Sequence, residues 1–320
     1  SDSMGVERFI PSYGNDYIEG NVAVGYWNLF SSPSDPSGQN SGMNEDVTNG
    51  FIRADLRTGE VYKIIEGGAY EGTYMDMLVG TRGLSGSEGN DIINVTTDDI
   101  VTNADGNGRW VWANIGDDIL VDLGRGNEWI AGAHGNDTIL SGNYVDTVYG
   151  DYTAKNDEYT AEGKDTFAVY GEGYTDIRDW EEGEEVWWLD TLNSFESPPT
   201  NEDIIVTHDF ANQTTKIGSL NNGELVNRIE LNGFLKVNSV NEESFGAKAG
   251  EENSYLSNND IRLELIETDE IPYQISDLGS GSDKFLGGDE FDLVTSGGGA
   301  DYISLGKGDD IAVLEGATLS

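Results

Sequence analysis

The sequence contains no cysteine, which excludes disulfide bonds, a cysteine nucleophile and cysteine ligands for a metal. It has only two histidines, His134 and His208, and it lacks both the H-E-x-x-H motif of zinc proteases and the G-x-S-x-G motif of serine hydrolases. We interpret His134 as a surface residue and His208-Asp209 as a polar pair at a strand end. Without a recognisable catalytic motif, we predict that the chain is not an enzyme.

Basic residues are scarce, because 17 Lys and Arg accompany 60 Asp and Glu, giving a formal net charge of −43. This balance argues against nucleic acid and anionic membranes as partners. Such a chain should repel itself unless cations bind to it. No run approaches the roughly 20 apolar residues of a membrane-spanning helix, and the first residues contain no apolar signal-peptide core. We therefore expect no membrane insertion.

Glycine is abundant, with 43 residues, and near the C-terminus it recurs in register with acids. Asp283, Asp292, Asp301 and Asp310 are nine residues apart, and an apolar residue stands two positions after each of them. The glycines in register with these acids are Gly279, Gly281, Gly288, Gly297, Gly299, Gly306 and Gly308. A repeated period of nine indicates a repeat architecture rather than one irregular domain.

A second block of the same pattern lies between residues 86 and 167. Its acids are Asp91, Asp118, Glu128, Asp137, Asp146 and Asp165. Its glycines are Gly86, Gly89, Gly116, Gly124, Gly126, Gly132, Gly135 and Gly163. A lone match surrounds Asp16, a degenerate turn is indicated around Asp76, and Asp122 is interpreted as a one-residue bulge. We interpret the segment NADGNGRWVW, which ends at Trp112, as an excursion from the repeat.

The pattern resembles the RTX nonapeptide G-G-x-G-x-D-x-U-x, in which U is a large apolar residue. The resemblance implies a parallel β-roll in which glycines permit tight turns and x-U-x forms a short strand. Two nonapeptides make one coil, and stacked coils lie about 4.8 Å apart. Carboxylates that close would repel, and a hard cation with oxygen ligands removes the repulsion. The resemblance therefore implies several bound Ca2+ ions.

In RTX proteins each calcium ion lies between turns one coil apart. Carried over to this chain, Asp283 would share an ion with Asp301, and Asp292 with Asp310. In the other block, the shared ions would lie between Asp118 and Asp137, Glu128 and Asp146, and Asp146 and Asp165. RTX proteins are typically exported by type I secretion, so the resemblance also implies an extracellular or cell-surface bacterial protein.

Residues 174–195 are similar to the segment that closes the roll in serralysin-type C-terminal domains. Its motif places are filled by Ile177, Asp179, Trp180, Gly183, Glu185, Trp187 and Leu189. In relatives this segment caps the roll, and Trp180, Trp187 and Trp188 suit a hydrophobic plug. The alternative for these tryptophans is stacking on a carbohydrate.

We therefore predict an all-β fold with two parallel β-rolls joined by a β-rich closing domain. The predicted divisions are 1–71, an N-terminal β-rich segment; 72–170, the first roll with insertions; 171–274, the closing domain; and 275–320, the second roll. A hairpin is expected around Arg57-Thr58-Gly59-Glu60.

The strict repeat runs to the end of the given sequence with no closing segment after it. We expect the open roll to self-associate head-to-tail into a filament or layer at the cell surface. A chain cut from a longer RTX protein is the alternative explanation. The rival function is a calcium-folded module of a polysaccharide-binding adhesin or polysaccharide-active enzyme, and glycan binding would distinguish it.

Overall fold

A computed structural model describes most of the chain in separate stretches. The described residues are 8–9, 11, 14–20, 22–26, 49–66, 71–96, 109–124, 126–142, 145–152, 163–170, 173–189, 204–209, 212–221, 224–243, 245, 260–267, 273–277, 282, 284–286, 291–297, 300–306 and 311–313. Within these stretches no residue lies in an α-helix, and most lie in strands. The prediction of an all-β fold is confirmed.

Twenty-six strands are described. They are β1 (Arg8–Phe9), β2 (Tyr17–Glu19), β3 (Ala23–Gly25), β4 (Asn49–Asp55), β5 (Glu60–Glu66), β6 (Gly72–Val79), β7 (Gly83–Ser85), β8 (Ile92–Asn94), β9 (Trp110–Ile115), β10 (Ile119–Val121), β11 (Trp129–His134), β12 (Thr138–Ser141), β13 (Val145–Tyr149), β14 (Thr166–Tyr170), β15 (Tyr174–Ile177), β16 (Glu185–Leu189), β17 (Ile204–Asp209), β18 (Thr214–Asn221), β19 (Glu224–Asn232), β20 (Leu235–Glu243), β21 (Asp260–Glu267), β22 (Tyr273–Asp277), β23 (Lys284–Leu286), β24 (Phe291–Thr295), β25 (Tyr302–Ser304) and β26 (Ile311–Val313).

Two large sheets contain all strands up to β21. Sheet A has the order β1-β3-β7-β9-β11-β13-β15-β19-β18-β17, and sheet B has the order β2-β6-β5-β4-β8-β10-β12-β14-β16-β21-β20. From β7 to β16 the even-numbered strands lie in sheet B and the odd-numbered ones in sheet A, each parallel to its neighbour one coil away. The chain therefore winds between the sheets, adding one strand to each per coil.

The hydrophobic core lies between the two sheets. Each short strand contributes the residue two positions after its turn acid, such as Leu120, Ile130, Ile139 and Val148, all of which are buried in one cluster. These side chains alternate with residues on the outer faces because successive strand residues point to opposite sides. The apolar position of the nonapeptide is thus the position that faces the core.

The described residues between 8 and 66 extend the same two sheets. β2 pairs in parallel with β6, and β3 with β7, so the turn at Asp16 has a partner in Asp76 and is not isolated. The predicted hairpin is present as β4 and β5, which pair antiparallel within sheet B.

The segment expected to leave the repeat is instead part of it from Trp110 onward. Trp110–Ile115 forms β9, whose Val111 faces the core and whose strand pairs with β7 and β11. The preceding residues 97–108 lie outside the described part. The repeat is not recognisable in the sequence at this point. Arg109 stands where the acid is expected, and no glycine stands two residues before it.

Antiparallel strands follow the parallel stack at its other end. β17, β18 and β19 continue sheet A, and β21 and β20 continue sheet B. Trp180, Trp187 and Trp188 are all buried, and Trp187 packs on Phe245 at 5.3 Å between ring centroids. The capping interpretation of these tryptophans agrees with their burial, whereas glycan stacking would need exposed rings.

The C-terminal repeats form two small parallel sheets of their own. β22, β24 and β26 make one sheet, and β23 and β25 make the other. Lys284 pairs with Tyr302 and Leu293 with Ile311, a separation of eighteen residues in each case. In the described residues of this block, as before, one coil holds two nonapeptides.

The structure describes no helix that is long and apolar enough to span a bilayer.

A column of glycines allows the coils to stack at one edge of sheet B. A Cβ atom built on Gly89 would lie 1.8 Å from the carbonyl oxygen of Gly50, one on Gly135 would lie 1.8 Å from that of Gly116, and one on Gly163 would lie 1.9 Å from that of Gly135. Real Cβ atoms do not approach so closely, so backbone packs directly on backbone there. Glycine is required at this position of the nonapeptide by the next coil.

Substituting Gly135 tests this packing. Gly135 has φ +132° and Gly20 has φ +131°, but nothing lies within 4 Å of a Cβ built on Gly20. Both alanine variants carry the same backbone strain, and only Gly135→Ala forces two coils apart. We expect Gly135→Ala to lower the free energy of unfolding by about 1–3 kcal/mol more than Gly20→Ala, as measured by thermal or urea denaturation. Equal losses would contradict direct contact between the coils.

Candidate metal sites

Buried acids form a ladder at the edge where each coil enters sheet B. Asp91, Asp118, Asp137, Asp165 and Glu184 each stand directly before a strand, and each is at most 7% exposed. The backbone N–H of Asp91 donates to Oδ1 of Asp118 at 2.6 Å, that of Asp118 to Asp137 at 2.8 Å, and that of Asp137 to Asp165 at 2.8 Å. Each carboxylate is thereby fixed by the preceding coil.

The second oxygen of these carboxylates is left over. Oδ2 of Asp118, of Asp137 and of Asp165 is buried and has no hydrogen-bond partner among the described residues. An ionised oxygen buried in this way is strongly destabilising unless a cation or a proton compensates it. The ladder thus holds negative oxygens in a fixed row without compensating them.

Glycines make the space in which these oxygens sit. A Cβ on Gly132 would lie 2.0 Å from Oδ2 of Asp137, and one on Gly150 would lie 1.9 Å from Oδ2 of Asp165. A Cβ on Gly86 would lie 2.4 Å from Oδ2 of Asp91. The glycine is therefore a cradle for the acid of its own turn, which follows five residues after Gly86 and Gly132 and, across the insertion, fifteen residues after Gly150.

The opposite edge carries a second cluster. Asp122, Glu128 and Asp146 are buried, and each offers a carboxylate oxygen within 4.8 Å of the others. The N–H of Glu128 donates to Oδ1 of Asp146 at 3.0 Å, and the N–H of Gly124 donates to Oδ1 of Asp122 at 2.7 Å. Gly126 faces Glu128 closely, since a Cβ there would lie 1.8 Å from Oε1.

A third acid group lies where the ladder meets the closing segment. Asp151, Asp165 and Glu184 are buried and offer oxygens within 4.8 Å of one another. Beside them, Asp179 accepts the N–H groups of Gly150 at 2.8 Å and Asp151 at 3.0 Å. This group joins residues on both sides of the segment 153–162.

Burial and mutual repulsion raise the pKa of these acids. Burial, and then the charge of Asp165, raises the pKa of Asp137 to about 8. Burial, and then the charge of Asp179, raises the pKa of Asp151 to about 7. Burial is also the main cause that raises the pKa of Asp118 and of Glu128. Without a cation, the ladder therefore retains protons at neutral pH.

The structure brings together two of the acid pairs expected from the repeat. Asp118 lies beside Asp137, and Glu128 beside Asp146. The third expected pair is wrong, because Asp165 lies beside Asp137 and not beside Asp146. Successive turns alternate between the two edges, so acids nine residues apart are on opposite edges, and the insertion before Asp165 obscured this count.

Three acids of the clusters were not among the predicted ligands. The sequence indicates a bulge at Asp122 and places Glu185, not Glu184, in the closing motif, and it assigns no role to Asp151. The rule that an apolar residue of the core between the sheets follows two positions after the acid agrees with Glu184, because Val186 belongs to that core, whereas Trp187 is buried in the separate cluster with Phe245. No sequence rule of this kind finds Asp122 or Asp151. Only the proximity of their oxygens to the other acids in the folded chain assigns them to the clusters.

The remaining predicted residues are only partly described. Asp292 is buried in β24, and Asp301 lies directly before β25, with Gly297 and Gly306 in left-handed conformations at φ +60° and +82°. The others of this block lie outside the described residues: Gly279, Gly281, Asp283, Gly288, Gly299, Gly308 and Asp310.

Neither histidine belongs to the acid clusters. His134 is exposed at the end of β11, as predicted. His208 and Asp209 lie at the end of β17, as predicted, and His208 is 5% exposed, with Nε2 2.9 Å from the carbonyl oxygen of Leu235.

The chain matches no protein-family model and shows no significant similarity to a curated protein. The assignment of these sites therefore depends on their geometry. Groups of buried acids with uncompensated oxygens, lined by glycine and backbone carbonyls, could hold metal ions.

The raised pKa values predict how stability depends on pH in a chelator. Carboxyl groups in the unfolded chain titrate near pH 4, whereas Asp137 in the folded chain titrates at about 8. The folded state then binds more protons, so its stabilisation is complete below about pH 4 and is lost as the pH rises through 8. We expect the melting temperature in EDTA to fall between pH 5 and 8.

Circular dichroism melts at several pH values, with EDTA or with a divalent cation, measure this dependence. The cation should weaken or reverse the trend, since it competes with protons for the same oxygens. A melting temperature in EDTA that rises from pH 5 to 8 would contradict the buried acid ladder.

Proposed function

We propose that the chain is a secreted, calcium-binding RTX protein whose two β-rolls serve a structural role at a bacterial cell surface. The single observation that carries the calcium proposal is the row of buried Oδ2 atoms of Asp118, Asp137 and Asp165, which no described donor satisfies. Calcium takes six to eight oxygen ligands, including carboxylates and backbone carbonyls, at about 2.3–2.6 Å. When bound, it would supply the positive charge that the ladder lacks.

The donor set favours a hard cation. The clusters contain carboxylates, with the hydroxyl of Ser141 bonded to Oδ2 of Asp146 at 2.8 Å. The chain has no cysteine, and neither histidine is among the clustered residues. Zinc and copper prefer sulfur or imidazole ligands, while all-oxygen sites suit calcium, magnesium or manganese. The two rolls would be residues 72–170 and 275–320, joined by the closing domain.

Asp137→Asn should separate the effect of charge from the effect of metal. In EDTA the variant removes a buried, repelled carboxylate, so its melting temperature should equal or exceed that of the wild type. In calcium it lacks a ligand, so the stabilisation by calcium should fall and the number of bound ions should drop. Asp117→Asn is the matched control. Asp117 is exposed and directly precedes Asp118, in the turn one coil away from Asp137.

Isothermal titration and thermal melts with and without calcium measure both quantities. A loss of stability in EDTA for Asp137→Asn, with calcium binding unchanged, would contradict a metal role for this residue.

The structural role is favoured by where the acids lie. They are buried inside turns and fixed by backbone donors, so they can hold ions but do not line an open cleft in which a substrate would react. Extracellular modules bind calcium with dissociation constants of about 10⁻⁴–10⁻³ M. Weak calcium sites would therefore suffice for a non-enzymatic, extracellular protein. Ion binding would then make folding dependent on the medium outside the cell.

Self-association is favoured by the open strand edges. In the described part of the chain, β2 ends sheet B, and β25 and β26 end the small sheets. Apolar side chains are exposed on these strands: Tyr17 at 66%, Tyr302 at 60% and Val313 at 46%. Open edges with exposed apolar residues are templates for pairing with another chain. We propose head-to-tail stacking of copies through these edges.

A second candidate function is binding of a neutral polysaccharide on the outer face of sheet A. Trp110 and Trp129 are paired across β9 and β11, and Trp129 lies 5.1 Å from the rings of both Tyr149 and Tyr152. All four side chains are partly exposed. Aromatic rings in such a row can stack on sugar rings, and the strongly negative chain would repel an anionic glycan.

Electron microscopy of the purified chain in calcium and in EDTA tests the structural role. We expect filaments or layers in calcium and their loss in EDTA. Monodisperse particles in calcium would contradict self-assembly. If such particles were retained by a neutral glycan resin, and Trp129→Ala were not, the second candidate function would replace the first.

A further inference from the structure

One basic side chain lies inside the fold at the edge that carries the acid ladder. Lys63 is on β5, where it alternates with tyrosine and isoleucine so that it faces inward with Val61 and Ile65. Its side chain is 0% exposed, although it carries an ammonium group. A buried ammonium is stable only with close oxygen partners.

Three oxygens surround that ammonium. Nζ of Lys63 lies 2.6 Å from the carbonyl oxygen of Gly14, 2.7 Å from Oδ1 of Asp76 and 3.7 Å from Oδ2 of Asp16. The set contains an acid from each of two neighbouring coils and the carbonyl of the glycine two residues before one of them. These are the kinds of oxygen that a metal ion between two RTX turns would use.

Asp16 and Asp76 are a coil pair of the same design as the ladder. The N–H of Asp16 donates to Oδ1 of Asp76 at 2.9 Å, just as the N–H of Asp118 donates to Oδ1 of Asp137 at 2.8 Å. Each acid of the pair stands two residues before a core residue, Ile18 or Leu78. The two pairs differ in which groups contact the carboxylate oxygens that these hydrogen bonds leave unpaired.

In the first pair those oxygens are satisfied by protein groups. Oδ1 of Asp76 accepts from Lys63, and Oδ2 accepts from the hydroxyl of Tyr26 at 3.0 Å. By contrast, Oδ2 of Asp118 and of Asp137 has no partner among the described residues. Both carboxylate oxygens of Asp76 are therefore paired with protein groups, and Oδ2 of Asp16 lies 3.7 Å from the same ammonium.

The arrangement of sheet B explains why a side chain is needed there. β5 and β4 lie between β6 and β8, so Asp76 is not beside Asp91, the next acid of the ladder. Lys63 pairs in register with Ile52, whose N–H donates to Oδ1 of Asp91 at 2.7 Å. Lys63 thus occupies the gap in the ladder.

At the opposite edge, basic side chains likewise occupy positions that acids hold in other coils. The residues that stand before β7 and β9, in line with Glu128 and Asp146, are Arg82 and Arg109. Arg109 donates from Nη1 to the carbonyl oxygen of Leu56 at 2.9 Å. In the coils next to the hairpin, cationic side chains therefore stand where acids stand further along.

We propose that the ammonium of Lys63 takes the place of a metal ion between Asp16 and Asp76, so that the first two coils fold without metal. The same oxygens become a metal site when the ammonium is removed. This inference rests on the proposed function, because it compares this pair with coils that bind calcium.

Hydrogen exchange followed by mass spectrometry tests the first half in the wild-type chain. In EDTA, the amides of β2 and β6 should remain protected while those of β10 and β12 lose protection, and calcium should restore only the latter. If β2 and β6 lose protection together with β10 and β12, the inference is overturned although calcium binding stands. If calcium neither binds nor protects β10 and β12, the proposed function is overturned and this inference with it.

Equilibrium calcium binding to variants tests the second half. Lys63→Ala leaves room and two acids, so in calcium it should bind one ion more per chain than the wild type. In EDTA it should lose the protection of β2 and β6, and calcium should restore it. The double variant Lys63→Ala, Asp76→Asn should not gain the extra ion.

A Lys63→Ala chain that gains no calcium would overturn the proposal, and so would one that stays unfolded at β2 and β6 at saturating calcium. Lys63→Ala that remains protected in EDTA would do the same, because the ammonium would then be unnecessary for the coil.

Discussion

Repulsion between buried carboxylates is the constraint on which this fold depends. Coil stacking brings an acid of each turn beside the acid of the next, and hydrogen bonds from the backbone hold each one there. The same hydrogen bonds that fix the acids prevent them from moving apart. Folding therefore needs a positive charge at every step of the ladder, and three sources could supply it: protons, metal cations and the chain's own basic side chains.

The repeat explains how much could be predicted. The nine-residue period predicted the strands and the inward apolar residues, because each follows from a local rule applied again along the chain. The resemblance to RTX repeats implied that Asp118 and Asp137 are neighbours. The contributions of Asp122 and Asp151 could not be predicted, because their partners depend on how loops fold back across an edge. The extra residue at Asp122 breaks the nine-residue pattern, and its role follows only from the structure, in which Glu128 and Asp146 lie beside it.

The region before the strict repeats was predicted least well for a similar reason. The match at Asp16 has its partner sixty residues later, and the antiparallel hairpin of β4 and β5 lies between the coils in sheet B. Lys63 is also far in the sequence, by 49 residues, from the glycine whose carbonyl it binds. Nothing in a nonapeptide pattern specifies a contact made by an inserted hairpin, and a lysine in a polar-looking strand is ordinarily interpreted as solvent-exposed.

That hairpin also lengthens one of the two sheets. In sheet A, β7 and β9 are neighbours, while in sheet B the corresponding strands β6 and β8 are separated by β5 and β4. With strands about 4.8 Å apart, one step on the first side corresponds to three steps, or about 14 Å, on the second. Between these two coils, sheet B is therefore longer than sheet A by two strands, and the difference is the width of one hairpin.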